Sequence, residues 1–194
     1  MPNWCDNTVE IYHQDPAVIE RVRNAFSEGK FLSEFIPCPP QLTDTVAGSV
    51  GAKDSYEQRL LEFREQLNME FFSARNWYDW QVANWGSKWD VGGENAAQDI
   101  PGGLLLSFES AWSPPTQAYQ TLVDDHGFKI RAMYYEPGMA FAGIWEDGVD
   151  DYYEYGGMNS DQIADTLPEV LDEAYGISEA VAMWEEEQKA EEND

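Results

Sequence analysis

From Asn7 to His13 the chain reads NTVEIYH, with Val9 and Ile11 on one side of an extended backbone and Glu10 and Tyr12 on the other. That two-residue period predicts a half-buried strand. In DPAVIERVRNAFSEG the period changes: Val18, Ile19, Val22 and Phe26 recur at helical spacing. Asp15 is placed to cap this helix, Pro16 suits its first turn and Gly29 its end. FLSEFIPCPP follows and reads as a short extended run, broken by Pro37, Pro39 and Pro40. Residues 41–54 read as loop, with AGSVGAKD as its tip. Tyr56, Leu60, Phe63 and Leu67 then form the stripe of a helix, with Asp54 and Ser55 ahead of Glu57 and Gln58 in capping-box order.

The glycine-rich GGENAAQDIPGG returns the chain to an apolar strand, LLLSFESAW, from Leu104 to Trp112. Pro114 and Pro115 open a second helix whose inner face is Tyr119, Leu122 and Val123 and whose end is Gly127. A meander comes next: FKIRAMYY, a turn at Glu136-Pro137-Gly138, AFAGIW, a turn at Glu146-Asp147-Gly148, and VDDYYEY. Helices are expected from Ser160 to about Tyr175, interrupted at Pro168, and from Ser178 to about Lys189. Strand–helix–strand, an insertion, then strand–helix–strand predicts an α+β fold of the ferredoxin-like, split βαβ kind, with the helices on one face of an antiparallel sheet. The expected division is a core over 1–158, with a helical insertion at about 41–103, and an acidic helical C-terminal extension over 159–194.

Charge changes this picture more than size does. The 194 residues carry 37 acidic against 11 basic side chains, a formal charge of -26. Between Trp145 and Asp194 there are 17 acidic residues and one basic one, Lys189, so -16 of the total lies in the last 50 positions. Such a field repels phosphate backbones and anionic lipid surfaces, so neither direct duplex nucleic-acid binding nor membrane association is expected. Solubility and attraction of a basic protein both fit it. The two cysteines, Cys5 and Cys38, are too few for a disulfide framework, and MPNWCDN has neither the basic nor the apolar segment of a leader. A cytoplasmic protein with reduced thiols is expected.

Signs of catalysis are sparse. His13 and His126 are the only histidines, and there is no phosphate loop, nucleophile elbow or zinc spacing. The carboxylates of DGVDDYYE, Asp147–Glu154, lack the glycine position of a calcium loop. No cofactor and no metal are expected, and the chain reads as a binding protein rather than an enzyme.

Three separated stretches, MPNWCDN at the start, NWGSKWD at Asn84–Asp90 and SFESAWSPP at Ser107–Pro115, resemble the YubB ferredoxin-like family, also called Api92-like. Their order matches, and the resemblance spans most of residues 2–145. It implies a ferredoxin-like topology, without an iron–sulfur cluster, and an origin on a phage, prophage or conjugative plasmid. It brings no activity with it.

Two surfaces remain as candidates. Trp4, Asn7, Trp85, Lys88, Trp89, Asp90, Trp112 and Ser113 form either a tryptophan-rich lid on the core, braced by Lys88 and Asp90, or a pocket that holds a base or small anion through stacking and cation–π contacts. Asp147, Asp150, Asp151, Glu154, Asp161, Asp165, Glu169, Asp172 and Glu173 form either a solvated acidic face or an array that imitates nucleic-acid phosphates. The leading functional expectation is an acidic, mobile-element interaction protein that inhibits a basic, nucleic-acid-handling host or defence protein. Small-ligand or nucleotide binding at the tryptophan motif is the alternative, followed by a metal-dependent enzyme sensitive to Asp90.

Overall fold

The computed structural model describes residues 2–94 and 96–191, so the last three residues of the expected extension lie outside the described residues. Six strands form one antiparallel sheet in the order β2-β3-β1-β4-β5-β6. They are β1 (Trp4–Tyr12), β2 (Ala97–Ile100), β3 (Gly103–Ala111), β4 (Lys129–Glu136), β5 (Phe141–Glu146) and β6 (Val149–Glu154). Helix α1 (Pro16–Ser27) follows β1, and α2 (Phe31–Phe35), α3 (Pro40–Thr43), α4 (Tyr56–Phe72) and α5 (Trp77–Trp85) separate it from β2. Helix α6 (Thr116–His126) carries the chain from β3 to β4, and α7 (Ser160–Thr166), α8 (Glu169–Tyr175) and α9 (Ile177–Glu191) follow β6. Four adjacent strands, β2-β3-β1-β4, have the interleaved split βαβ order, and β5 and β6 widen the sheet beyond β4. The fold is α+β and ferredoxin-like.

Local chemistry sets most of the helix starts. Asp15 Oδ1 accepts from Ala17 N at 2.9 Å and Ser55 Oγ from Gln58 N at 3.1 Å. Asn159 and Gln162 exchange a reciprocal capping box at the start of α7. Helix α2 is different. The sequence reads FLSEF as extended, yet it is helical, because Asp90 caps it from another part of the chain: Oδ1 accepts from Leu32 N at 2.7 Å and Oδ2 from Ser33 N at 3.0 Å. The second strand of the split unit is therefore β2, after the insertion.

Helices also occupy both faces of the sheet rather than one. Val9, Ile11, Leu104, Leu106, Ile130, Ala132 and Trp145 pack with Val22, Phe26, Tyr119 and Leu122 of α1 and α6 on the first face. On the second, Met133, Tyr135, Ala142 and Ile144 pack with Ile163, Leu167, Leu171 and Ile177 of α7, α8 and α9. The cause is in β4 and β5, where successive residues are apolar on both sides, as in strands covered twice. Tyr175 fixes the second layer: its hydroxyl donates to Met133 O at 2.8 Å and its ring stacks on Tyr135 at 5.3 Å.

Burial within these layers changes the acidity of several groups. It pushes the Cys5 thiol up to about 12 and the Tyr175 phenol up to about 12, and it raises Tyr119, which is fully enclosed. A raised native pKa means that the folded chain keeps protons which the unfolded chain gives up. Stability should thus be full below pH 9 and fall as pH rises through the ordinary thiol and phenol range. Urea unfolding at stepped alkaline pH checks this, and stability flat between pH 8 and 11 contradicts it. In the folded state at pH 8, a thiol reagent should label Cys38 well before Cys5.

Candidate functional site

Strand β3 ends at Ala111, and the chain leaves the sheet through Trp112, whose φ of +73° lies in a region that bulky residues avoid. Hydrogen bonds hold this bend. Trp112 N donates to Asn3 O at 3.0 Å and Ser110 Oγ to Ser113 O at 2.7 Å. Ser110 Oγ accepts from Asn7 Nδ2 at 2.9 Å, and Asn7 Oδ1 accepts from Tyr119 OH at 3.4 Å. Ser113 Oγ then donates to Gly86 O at 2.7 Å, which ties the loop after α5 to the bend. Gly86 has φ +81°, a left-handed backbone that favours glycine, and a Cβ there would displace the Gln117 side chain.

These bonds leave the Trp112 side chain half exposed beside a cleft of about 410 Å³. Val82, Gly86, Ser113, Pro114, Thr116 and Gln117 line one side, and Tyr134, Phe141, Asp150 and Tyr152 of the outer strands line the other. Tyr134 reaches Asp150 only because β5 has no side chain between them: a Cβ on Gly143 would sit 2.2 Å from the Tyr134 hydroxyl. The hydroxyl donates to Asp150 Oδ1 at 2.6 Å. Burial, and then this bond to a carboxylate, push the phenol well above its ordinary range, so Tyr134 remains a neutral donor at any physiological pH. Aromatic faces with one fixed carboxylate favour a flat ring that carries N–H donors or positive charge, and disfavour an anion.

The tryptophan motif is divided among three places. Trp112 and Ser113 line the cleft. Trp85 belongs to the core, its Nε1 donating to Ile36 O at 2.9 Å, and Asn7 is buried in the network above. Asp90 spends both oxygens on backbone N–H groups, those of Leu32, Ser33 and Val91. Trp4, Lys88 and Trp89 form a separate surface stack: the indoles lie 5.8 Å apart, and Lys88 Nζ stands 4.5 Å from the Trp89 ring and 5.7 Å from that of Tyr78. Lys88 is not among the residues lining the cleft, so a cation and the cleft do not coincide.

The acidic candidates also separate. Asp147 Oδ1 accepts from Ile130 N at 3.0 Å, Asp150 is held by Tyr134, and Asp172 caps α9 by accepting from Ser178 N at 2.7 Å. Asp151 and Glu154 are exposed on the edge strand β6, and Asp161, Asp165, Glu169 and Glu173 are exposed on α7 and α8. Among the described residues, no three His, Cys, Asp or Glu side chains converge as a metal site would need, and no helix is long and apolar enough to cross a membrane.

Tyr134, Phe141, Tyr152 and Gln117 are cleft residues that sequence reading passes over. The available signal is Gly143, a glycine inside an otherwise apolar strand, which marks a close approach.

No protein-family model matches the chain, and no curated protein matches it. Among solved structures, it is similar to the crystal structure of a protein api92 from Yersinia pseudotuberculosis. The identity is 14%, the match covers 81% of this chain and 99% of that one, and the TM-score is 0.42. The fold described above rests on strand order and register.

Two substitutions separate what the cleft needs from what the fold needs. Trp112→Gly relieves the positive φ and removes a half-exposed ring, so stability should stay within about 1 kcal/mol of the parent chain. A loss above about 2 kcal/mol in urea titration would make the ring part of the core. Gly143→Ala drives a methyl into Tyr134 and should cost roughly 2–3 kcal/mol, an overpacking penalty.

Proposed function

We propose that this chain is an acidic interaction protein of a phage or plasmid, acting in the host cytoplasm by occupying a basic, nucleic-acid-handling host or defence protein. The observation that supports this reading is the way the C-terminal charge is mounted. Ile163, Leu167, Leu171 and Ile177 anchor α7, α8 and α9 to the second face of the sheet, while Asp161, Asp165, Glu169 and Glu173 stay exposed. Asp172 and Glu185 strengthen the layer from within, capping α9 and accepting from Ser160 N at 3.1 Å. A charge array on anchored helices loses less conformational freedom on binding than one on a mobile tail. It can also displace counterions from a basic groove much as phosphates do. The exposed edge of β6 adds Asp151 and Glu154 to the same acidic half of the sequence.

A second reading belongs to the cleft. Trp112, Phe141 and Tyr152 offer ring faces, and Asp150 and Gln117 offer polar contacts at the sides, a setting for a nucleobase or a cationic ring. Without Lys88 nearby, the phosphates of a nucleotide would gain nothing there.

The deciding experiment is capture from host extract at low and high salt, with duplex DNA as competitor. The interaction reading expects a basic protein that is held at low salt, lost at high salt and displaced by DNA. Replacing Asp161, Asp165, Glu169 and Glu173 together by Lys should abolish capture and leave the thermal midpoint unchanged, since these side chains are exposed. Capture indifferent to salt and to these changes sinks the reading. Tryptophan fluorescence quenched by a nucleoside in the parent chain, but not in Trp112→Gly, would favour the cleft instead.

A further inference from the structure

Helix α4 is turned inside out. It has 17 residues and none is buried. The half-buried positions, Gln58, Leu61, Glu65, Asn68 and Phe72, fall on one side of the helix. That side is held largely by polar contacts: Gln58 Oε1 accepts from Val50 N at 3.0 Å and Asn68 Nδ2 donates to Arg75 O at 2.7 Å. A gap of about 350 Å³ lies between α4 and residues 41–46. The apolar stripe runs along the outward side, with Leu67 and the flanking Arg64 at the border of this gap. Tyr56, Leu60, Phe63, Leu67 and Phe71 are 70%, 37%, 59%, 39% and 72% exposed. An isolated amphipathic helix gains its stability by burying that stripe, and here none of the described residues covers it.

We infer that α4 is a self-association surface, on which the stripe of one copy packs antiparallel against the stripe of a second copy of this chain. Three observations select that occupant. The steps from Tyr56 to Leu60, Phe63 and Leu67 are four, three and four, the spacing of a two-helix seam. The flanks distinguish orientation. Glu57 and Arg64 border one side of the stripe, so a two-fold antiparallel pair sets Glu57 of each copy against Arg64 of the other. A parallel pair would instead bring Arg59 against Arg64 twice.

Local charge is the third observation. Residues 41–77 hold six acidic and four basic side chains, net -2, against -24 for the rest of the chain. Two highly acidic molecules meet with least repulsion where each is nearly neutral. The five exposed side chains offer on the order of 500 Å² per copy, near the lower bound for a specific interface, so a weak, reversible dimer is expected.

Sedimentation equilibrium of the full chain tests this. A monomer–dimer equilibrium is expected, tightened several-fold by about 0.5 M salt, because salt screens the repulsion between the two bodies. That sign is opposite to the one expected for capture of a basic partner, so the two ideas fail independently. Phe63→Glu should weaken the dimer more than tenfold with circular dichroism and thermal midpoint unchanged, since the side chain is exposed; Phe71→Ser serves as the second variant. Arg64→Glu should weaken it, and Glu57→Arg with Arg64→Glu should restore it. A chain that stays monomeric up to about 100 µM, or a dimer indifferent to Phe63→Glu, overturns the proposal. Strengthening by Arg64→Glu overturns the antiparallel arrangement.

Discussion

A single buried amide holds the cleft end of the molecule together. Asn7 lies in the central strand β1, 2% exposed, where an unsatisfied amide would be costly. Its nitrogen donates to Cys5 O at 2.8 Å and to Ser110 Oγ, and its oxygen accepts from Tyr119. Through Ser110 and Ser113 the chain of bonds continues to Gly86. Two strands, a helix and the insertion are thereby set relative to one another without a hydrophobic contact between all four. In a low-dielectric interior such a network stabilises one arrangement and penalises the others, and the strained φ of Trp112 persists because this network surrounds it.

Much of the fold was readable because its determinants are local. The caps at Asp15 and Ser55, the glycine after α1 and the two hairpin turns act within a few residues of themselves. What the sequence hid is non-local. FLSEF has no helix signal of its own, and its cap, Asp90, lies 58 residues away from Leu32. The second helical layer was half legible: Met133 and Tyr135 alternate with Ala132 and Tyr134, a two-sided apolar strand that only makes sense between two layers. The candidate site was the least legible part. The lid reading of NWGSKWD has Trp85 on the core and Asp90 on backbone groups, but the spacing gives no hint that those groups start α2 or that Trp89 joins a surface stack. The motif is mostly a joint, and the ring that faces open space, Trp112, comes from a different stretch.

Net charge is spread unevenly along this chain, while exposed apolar side chains occur both on α4 and on the acidic helices, as at Met183 and Trp184. The acidic layer of α7, α8 and α9 is anchored by its own apolar cluster, separate from the one beneath α1 and α6. The nearly neutral insertion carries the uncovered stripe of α4 and the groove behind it. Helix α4 has no buried residue, while the acidic helices are held by Tyr175, Asp172 and Glu185.

The register of β1 has a consequence for how the protein comes into being. Asn7 pairs with Phe108 on one side and with Tyr134 on the other. Of the six strands, the first to be synthesised thus lies inside the sheet, and it has no neighbour among them until about a hundred further residues have followed it. Val9 and Ile11 stay uncovered through that interval, and α1 cannot find its face of the sheet. The insertion adds to the delay, since α2 to α5 must all be synthesised before β2 and β3 arrive. Assembly is therefore tied to the completion of β4, and the waiting segment lacks most of the chain's charge, since -16 of the -26 lies in residues 145–194.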